Sequence, residues 1–188
     1  YNGIECLGGT VNITHATVSF VKENAFVFDE AYDGYLQFLF SIQKDSKYNA
    51  IEYGKARKPE QIGIYPNFFG RIYNGTFIGS ANSDIPSNGL HLNSNSAIKV
   101  WNCIFQDQEG GVTYFFEDDY RRNSTAVFNN FAFTSDKLFN DDDFSNISRK
   151  PDTFDVKRVD PRLASISRKP NRQLDPRPNA NSPVLGSA

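Results

Sequence analysis

The sequence contains few of the residues that carry cofactor, metal or nucleophilic chemistry. Its 188 residues include no methionine, one tryptophan, two cysteines and two histidines. Nucleotide-binding loops of the types G-x-x-x-x-G-K-[ST] and G-x-G-x-x-G are missing, and so are C-x-x-C and H-x-x-x-H pairs. Neither His15 nor His91 has Ser, Cys or Asp neighbours in the pattern of a catalytic triad. We therefore expect no cofactor and no histidine-based metal or nucleophilic site.

Long apolar runs and a strong net charge are missing as well. Crossing a bilayer takes about 20 consecutive apolar residues, and no stretch approaches that length. The formal net charge is only -2, which provides no strong field toward nucleic acid or an anionic membrane. The sequence therefore predicts neither a transmembrane segment nor a nucleic-acid partner. Because Ile4 and Val11 already lie in a strand-like pattern after Tyr1, we expect a fragment of a longer protein.

The residues that are present favour β-strands. Hydrophobic residues make up 39% of the chain and aromatic residues 14%, which is enough for a packed core and favours strands over helices. From Arg71 to Phe116, short alternating segments, Asn-containing corners and Gly- or Asn-marked turns follow each other twice. The same corner aligns in three triplets: Ile72-Tyr73-Asn74, Val100-Trp101-Asn102 and Val127-Phe128-Asn129. Repeats of this kind are typical of stacked coils.

This rhythm predicts an all-β fold, a right-handed parallel β-helix of about five coils. We assign the coils to residues 1–134, with an inserted loop at residues 57–68 where prolines and a glycine break the rhythm. The segments AFVF, AIEY, GLHL and GVTYF are expected to be equivalent strands, and Leu36, Phe38 and Phe40 to share one face. A β-sandwich is the alternative, although Asn-Gly hairpin dipeptides are too few to favour it.

Asparagines at the corners have a physical reason to recur. Asn tolerates left-handed backbone geometry, and its amide can bond the equivalent Asn one coil away. We therefore expect a corner ladder of Asn74, Asn102 and Asn129.

Cysteines and glycosylation motifs give little further information. Cys6 and Cys103 could pair only in neighbouring coils, which their spacing does not favour, so we expect two buried free thiols. Acceptor motifs of the type Asn-x-Ser/Thr matter only in a secretory eukaryote, and they occur at Asn12, Asn74, Asn123 and Asn146.

Residues 135–188 differ in character from the coils. The stretch is first acidic and then rich in Pro, Arg and Asp, with few large apolar residues. It contains internal repeats, because Ile-Ser-Arg-Lys-Pro ends at Pro151 and again at Pro170, and Asp-Pro-Arg begins at Asp160 and again at Asp175. We interpret it as an extended tail that lies along the stack or covers its open end, since an uncapped β-helix exposes strand edges.

Two charged clusters are candidates for chemistry. Asp118, Asp119 and Arg121 follow the GVTYFF strand and place carboxylates beside a basic group, as polysaccharide lyases and hydrolases require. Asp141-Asp142-Asp143 offers oxygen ligands for calcium but lacks the alternating D-x-D-x-D-G spacing. For each cluster the alternative is a solvated loop or turn, so the sequence assigns neither a catalytic nor a metal site.

Aromatic side chains along the stack are candidates for sugar stacking. Tyr73, Trp101 and Tyr114 are the main candidates for binding residues. The larger set from which they are drawn also includes Tyr35, Tyr48, Tyr53 and Tyr65. The alternative is that half of these rings fill the core and the rest are ordinary surface.

Several stretches resemble a known group of proteins. GIECLGGTVNITHATVSFVKENAFVF, YLQFLFSIQKDSKYNAIEY, SNGLHLNSN, WNCIF and LDPRPNANSPVLGSA are similar to the C-terminal half of large secreted or surface-anchored β-helix proteins of the Bacteroidota. The resemblance implies a right-handed parallel β-helix at an extracellular or outer-membrane surface, preceded by earlier coils. Members of that group carry acidic pairs where this chain has Glu23-Asn24 and Lys44-Asp45-Ser46-Lys47, so a cation bound by such pairs is not implied here.

Together these observations predict a non-enzymatic surface protein that presents an elongated face to a partner protein or a glycan. The alternative is a polysaccharide lyase or glycoside hydrolase with its site in the loop at residues 117–122 or in earlier coils. A third interpretation is a subunit of a surface assembly in which the tail straps one chain to another.

Overall fold

The computed structural model is a three-sided solenoid of short strands. It describes residues 1–54, 69–81, 84, 86–93, 97–115, 126–129, 131–134, 156–169 and 171–186. Every strand pair within the three large sheets is parallel, which confirms the predicted right-handed parallel β-helix and excludes the sandwich. Among the described residues there is no helix that could span a membrane.

Each coil contributes one strand to each of three sheets. The first coil contains β1 (Ile4–Leu7), β2 (Ile13–Thr14) and β3 (Thr17–Ser19), and the second contains β4 (Phe26–Asp29), β5 (Tyr35–Gln37) and β6 (Phe40–Ile42). The third contains β7 (Ile51–Tyr53), β8 (Phe69–Tyr73) and β9 (Thr76–Ile78), and the fourth β10 (Leu90–Leu92), β11 (Ala97–Trp101) and β12 (Ile104–Gln106). The fifth contains β13 (Thr113–Phe115), β14 (Ala126–Asn129) and β15 (Phe131–Phe133). The tail adds β16 (Val156–Arg158), β17 (Leu163–Ser165) and β18 (Asp175–Pro178).

The three sheets follow directly from this repeat. Sheet A has the order β1-β4-β7-β10-β13, sheet B has β14-β11-β8-β5-β2, and sheet C has β16-β15-β12-β9-β6-β3. The predicted equivalence of AFVF, AIEY, GLHL and GVTYF is confirmed, because Phe26 pairs with Ile51, Ile51 with Leu90, and Leu90 with Thr113.

Inward-pointing apolar and aromatic side chains fill the interior of the solenoid. Phe77 is fully buried, with ring centroids 4.9 Å from Phe105 and 6.4 Å from Phe26 in the neighbouring sheet. Phe26, Phe28, Phe77 and Phe105 all belong to this core, which each stacked coil shares with the next, whereas Phe20 and Phe38 are exposed.

The corner between sheets B and C is turned by a single left-handed residue in each of the first four coils. Its φ is 56° at His15, 56° at Phe38, 55° at Asn74 and 55° at Asn102. Backbone N–H groups of His15, Phe38 and Asn74 donate to the carbonyls of Gln37, Tyr73 and Trp101 in the next coil, which establishes their equivalence. The left-handed geometry predicted for Asn74 and Asn102 is therefore present.

Two details of the predicted corner are wrong. Asn129 pairs with Trp101, so it lies one residue before the corner position occupied by Asn102. Phe38 does not share a face with Leu36, because the left-handed turn at Phe38 interrupts the alternation of the strand. Leu36 and Leu39 are buried, whereas Phe38 is 44% exposed and stacks on His15 at 4.7 Å.

Replacing Phe38 with asparagine is expected to raise the free energy of unfolding by about 1 kcal/mol. An ordinary side chain in the left-handed region costs about 1–2 kcal/mol, and asparagine relieves most of this cost while losing the exposed ring contact with His15. Urea unfolding followed by circular dichroism measures the change. The matched control is Tyr35→Asn, which replaces an exposed aromatic outside the left-handed positions. This substitution should not raise the free energy of unfolding. A lower urea midpoint for Phe38→Asn would contradict the prediction.

Both cysteines are free, as expected from their separation. Cys103 lies in the fourth coil, and complete burial raises its pKa to about 12. Cys6 lies in the first coil, where partial burial raises its pKa. Near it, burial and then the charges of Cys6 and Asp33 raise the pKa of Tyr32 to about 12, and the Tyr32 hydroxyl donates to the Val11 carbonyl.

The tail contacts the solenoid at two places. β16 lies beside β15 as the last strand of sheet C, with Phe131 opposite Val156. Further along, the Arg168 guanidinium donates to the carbonyl oxygens of Gln43 (3.1 Å) and Gly79 (2.6 Å) and to Asp107 Oδ2 (2.6 Å). We call this contact, formed by Arg168 with residues of three successive coils, the Arg168 clamp.

The outward face of sheet C is apolar beside this clamp. Ile42 and Ile78 precede the two carbonyls that Arg168 binds, and both are fully buried. They lie outside the main core cluster, because they alternate with the inward-pointing Ser41 and Phe77. The tail segment that carries Arg168 therefore returns to an apolar patch on the solenoid wall.

The end of the tail folds back as a two-stranded antiparallel hairpin. Leu163 pairs with Pro178 and Ser165 with Asp175. The two Asp-Pro-Arg repeats share one hydrogen bond, because the N–H of Arg162 donates to Asp160 Oδ1 (2.8 Å) and that of Arg177 to Asp175 Oδ1 (3.2 Å). Their backbones differ, since Arg162 is left-handed with a φ of 49° whereas Arg177 lies in β18. A side-chain hydrogen bond from Arg177 lowers the pKa of Asp175 to about 2. The predicted inserted loop at residues 57–68 lies outside the described residues.

Candidate functional site

The outward face of sheet B combines aromatic and basic side chains. Ile72 and Val100 point into the core, so the residues that flank them in β8 and β11 point outward. Register places Tyr35, Arg71 and Lys99 in one outward row. A second row contains Gln37, Tyr73 and Trp101. We call the group of Tyr35, Arg71, Tyr73, Lys99 and Trp101 the sheet B strip.

Within the strip, aromatic rings contact each other and the neighbouring basic side chains. The rings of Tyr73 and Trp101 meet edge to face with centroids 5.3 Å apart, and Lys99 Nζ lies 5.8 Å from the Trp101 ring. Arg71 Cζ lies 4.9 Å from the Tyr35 ring. Asp33 fixes the same guanidinium, because its Oδ1 is 2.6 Å from Arg71 Nη1. These contacts hold the long basic side chains against the rings.

Such a surface has defined chemical abilities. Aromatic rings offer apolar faces to the C–H side of a sugar, while Tyr hydroxyl groups serve as polar handles. Arg and Lys donate hydrogen bonds to hydroxyl, carboxylate or sulfate oxygens, and Arg does so in a planar fork. Since the strip follows the stacking direction across three coils, it suits an elongated ligand better than a compact one.

The predicted binding residues are distributed over two sheets. Tyr73 and Trp101 lie side by side in sheet B, whereas Tyr114 lies in β13 of sheet A, opposite His91. Of the larger aromatic set, Tyr53 belongs to the core and its hydroxyl donates to the Tyr32 carbonyl at 2.7 Å.

Sequence reasoning missed the two basic members of the strip. The signal was a cation two residues before an aromatic, Arg71-x-Tyr73 and Lys99-x-Trp101, repeated in consecutive coils. Side chains two residues apart lie on the same face of a strand, so this spacing could have identified Arg71 and Lys99 as members of the strip.

A polar network lies at the turn between sheets C and A. Asn24 Oδ1 accepts from the backbone N–H (2.8 Å) and Nδ2 (3.1 Å) of Asn49, and Asn49 Oδ1 accepts from Asn88 Nδ2 (3.1 Å). Asn2 Oδ1 accepts from the N–H of Asn24 (3.2 Å). We call Asn2, Asn24, Asn49 and Asn88 the asparagine ladder. The described residues show no side-chain hydrogen bond between Asn74 and Asn102, so the amide ladder lies at a different turn from the one predicted.

The ladder extends onto the outward face of sheet A. Glu52 accepts from Asn24 Nδ2 (2.6 Å) and Asn93 Nδ2 (3.2 Å), so both carboxylate oxygens are hydrogen bonded. His91 Nδ1 lies 3.3 Å from Asn49 Nδ2. Glu52 and His91 are adjacent in register. Their side chains therefore form part of a hydrogen-bonded network.

The remaining predicted site residues lie outside the described part of the chain. These are the catalytic candidates Asp118, Asp119 and Arg121 and the calcium candidates Asp141, Asp142 and Asp143. Within the described ranges, His, Cys, Asp and Glu side chains form no group of three or more that could hold a metal ion.

Comparison with known proteins gives one match. The model of a family described as a pectate-lyase-like beta helix domain matches residues 1–165. No curated protein and no solved structure matches the chain.

Proposed function

Since the chain belongs to the family of pectate-lyase-like beta helix domains, we propose that it is a non-enzymatic surface protein whose sheet B strip binds a glycan. The proposal includes an extracellular or bacterial outer-membrane location, where glycans are available. It assigns the binding residues to Tyr35, Tyr73 and Trp101, with Arg71 and Lys99 as hydrogen-bond donors.

The observation that carries this proposal is the pairing of Tyr73 with Trp101 in adjacent coils, where a basic residue two positions earlier lies on the same outward face of each strand. Surface aromatics scattered singly would need no explanation, but rings and cations in register across three coils form a continuous surface. Both carboxylate oxygens of Glu52 accept hydrogen bonds from asparagine side chains of the solenoid. This carboxylate therefore has a structural role, which agrees with a binding function rather than a catalytic one.

Replacing Tyr73 or Trp101 with alanine is expected to weaken glycan binding about tenfold, since an aromatic contact contributes about 0.5–1.5 kcal/mol beyond its buried area. Affinity electrophoresis against neutral and acidic polysaccharides identifies the ligand, and calorimetry on that ligand gives the dissociation constants. Tyr48→Ala is the matched control. Lys47 lies 5.8 Å from the Tyr48 ring, as Lys99 does from Trp101, but Tyr48 is outside the strip.

Two results would contradict the proposal. One is that no polysaccharide in the panel retards the wild-type protein. The other is that Tyr48→Ala weakens binding as much as Tyr73→Ala or Trp101→Ala, because the strip would then have no special role.

A carbohydrate-active enzyme is the second candidate, since the matching family is described as pectate-lyase-like. In this version Asp118, Asp119 and Arg121 provide the acid–base groups for a polysaccharide lyase or glycoside hydrolase. Release of new reducing ends or unsaturated products by the pure protein would establish turnover and contradict the non-enzymatic proposal. Persistence of that turnover in Asp118→Asn, Asp119→Asn and Arg121→Gln variants would place the catalytic groups elsewhere.

A further inference from the structure

The C-terminal hairpin and sheet C line an open polar cleft. Its volume is about 500 Å³, which lies in the usual range for small-molecule sites. Polar groups come from both sides: Gln106 from β12, and Asp160, Arg162, Ser165, Asn179 and Asn181 from the tail. Leu163 and Ile166 add apolar surface. The cleft is on a different sheet from the strip and does not depend on it.

Two lining groups retain hydrogen-bonding capacity. Asp160 uses Oδ1 to accept the Arg162 N–H at 2.8 Å, and its carboxylate has a second oxygen. Arg162 Nη1 donates to the Asn181 carbonyl at 3.1 Å, which leaves further N–H groups on an exposed guanidinium. Hydrogen bonds therefore hold both residues in place, while Asp160 Oδ2 and the remaining guanidinium N–H groups of Arg162 can contact a ligand.

Gln106 provides a third group from the solenoid side. Its Oε1 is buried and has no hydrogen-bond partner among the described residues. A buried amide oxygen without a donor is costly, so a hydroxyl group that reached it would be bound favourably.

From these groups we propose that the cleft binds a single hydroxyl-rich sugar unit. A sugar hydroxyl donates to Asp160 Oδ2, and another accepts from Arg162. The apolar faces of Leu163 and Ile166 pack against the C–H side of the ring. A neutral sugar satisfies both a carboxylate and a guanidinium, because each hydroxyl is donor and acceptor, whereas a simple anion satisfies only Arg162.

The tail contains its own control for this site. Asp160 and Asp175 begin Asp-Pro-Arg segments with the same side-chain-to-backbone hydrogen bond, yet Asp160 lines the cleft and Asp175 is not among its lining residues. Asp160→Asn can keep this hydrogen bond through its amide oxygen while replacing the second acceptor with a donor. Asp175→Asn makes the same change at a residue that does not line the cleft, and it also removes the exposed ion pair with Arg177.

Ligand-observed NMR with glucose, galactose, mannose and N-acetylglucosamine tests the proposal on the full chain. We expect at least one sugar to bind wild-type protein, Asp160→Asn to weaken that binding at least tenfold, and Asp175→Asn to change it less than twofold. Tyr48→Ala, at a residue outside both the cleft and the strip, should leave it unchanged. Failure of every sugar to bind, or equal losses in the two aspartate variants, would overturn the proposal. Matching circular dichroism of both variants verifies folding.

Discussion

Replacing Arg168 with methionine should lower the free energy of unfolding by about 3 kcal/mol. The substitution removes a guanidinium that serves two carbonyls and the Asp107 carboxylate. Both side chains of the ion pair are largely buried, with 19% and 26% exposed. The acceptors would remain partly buried without a donor, and breaking a buried hydrogen-bonded ion pair costs about 3–5 kcal/mol. Urea denaturation followed by fluorescence measures the loss.

A second ion pair in the tail serves as the control for this prediction. Arg177 Nη2 lies 2.7 Å from Asp175 Oδ2, nearly the same separation as in the clamp, but the Arg177 side chain is 83% exposed. Solvent screens such an exposed pair strongly, so Arg177→Met should have little effect. Equal losses for the two substitutions would show that the clamp contributes no more than a surface pair.

Replacing Asn49 with alanine should cost about 2–3 kcal/mol. Asn49 is buried in the middle of the asparagine ladder, where its side chain bonds Asn24 and Asn88 and lies beside His91. Truncation removes these bonds together and leaves neighbouring amides in a buried turn with fewer partners. Thermal unfolding by calorimetry should show a lower melting temperature with no change in the native circular dichroism spectrum.

Asn102 supplies the matching control for Asn49. It is exposed at the sheet B to sheet C corner with a φ of 55°, a geometry that glycine adopts without strain. Asn102→Gly should therefore change the free energy of unfolding by less than about 0.5 kcal/mol. A larger loss for Asn102→Gly than for Asn49→Ala would show that the main stabilising asparagines are those at the corner.

Most of the fold was predictable because it follows from the alternation of apolar and polar residues and from the repeat length of the coils. Alternation identified the strands of sheet A, and their parallel register followed from the repeat. The predicted corner alignment was one residue off at Asn129 for a simple reason. Asn129 and Asn130 are adjacent, so the sequence alone does not show which of them aligns with Asn102. The register is consistent with inward packing, because Val100 is buried and pairs with Phe128.

Phe38 was harder to predict for a physical reason. Left-handed corners are expected at Gly or Asn, and nothing about a phenylalanine marks one. The left-handed corner at Phe38 is fixed by the coils on either side, where His15 and Asn74 form the equivalent corners. Local preference is overridden here by tertiary packing.

The candidate site was predictable only in part. Tyr73 and Trp101 share the aligned corner triplets, so their proximity follows from the repeat. Tyr114 belongs to GVTYF, a member of the other aligned set of strands, and this assignment already places it on another sheet. The cleft beneath the hairpin could not be predicted, because it depends on where the tail returns along the solenoid.

The Arg168 clamp is expected to form late in folding. Strands of successive coils pair over moderate sequence separations, 22 residues for Ile4 with Phe26 and 39 for Ile51 with Leu90. Arg168, by contrast, binds the Gln43 carbonyl 125 residues earlier and the Gly79 carbonyl 89 residues earlier. Such distant contacts form late, since the entropy of closing a long loop must be overcome first. During synthesis the coils can stack as they emerge, and the clamp closes only when the tail is released. An interaction formed after the folding transition state mainly slows unfolding, so the clamp acts as a kinetic latch on the finished solenoid.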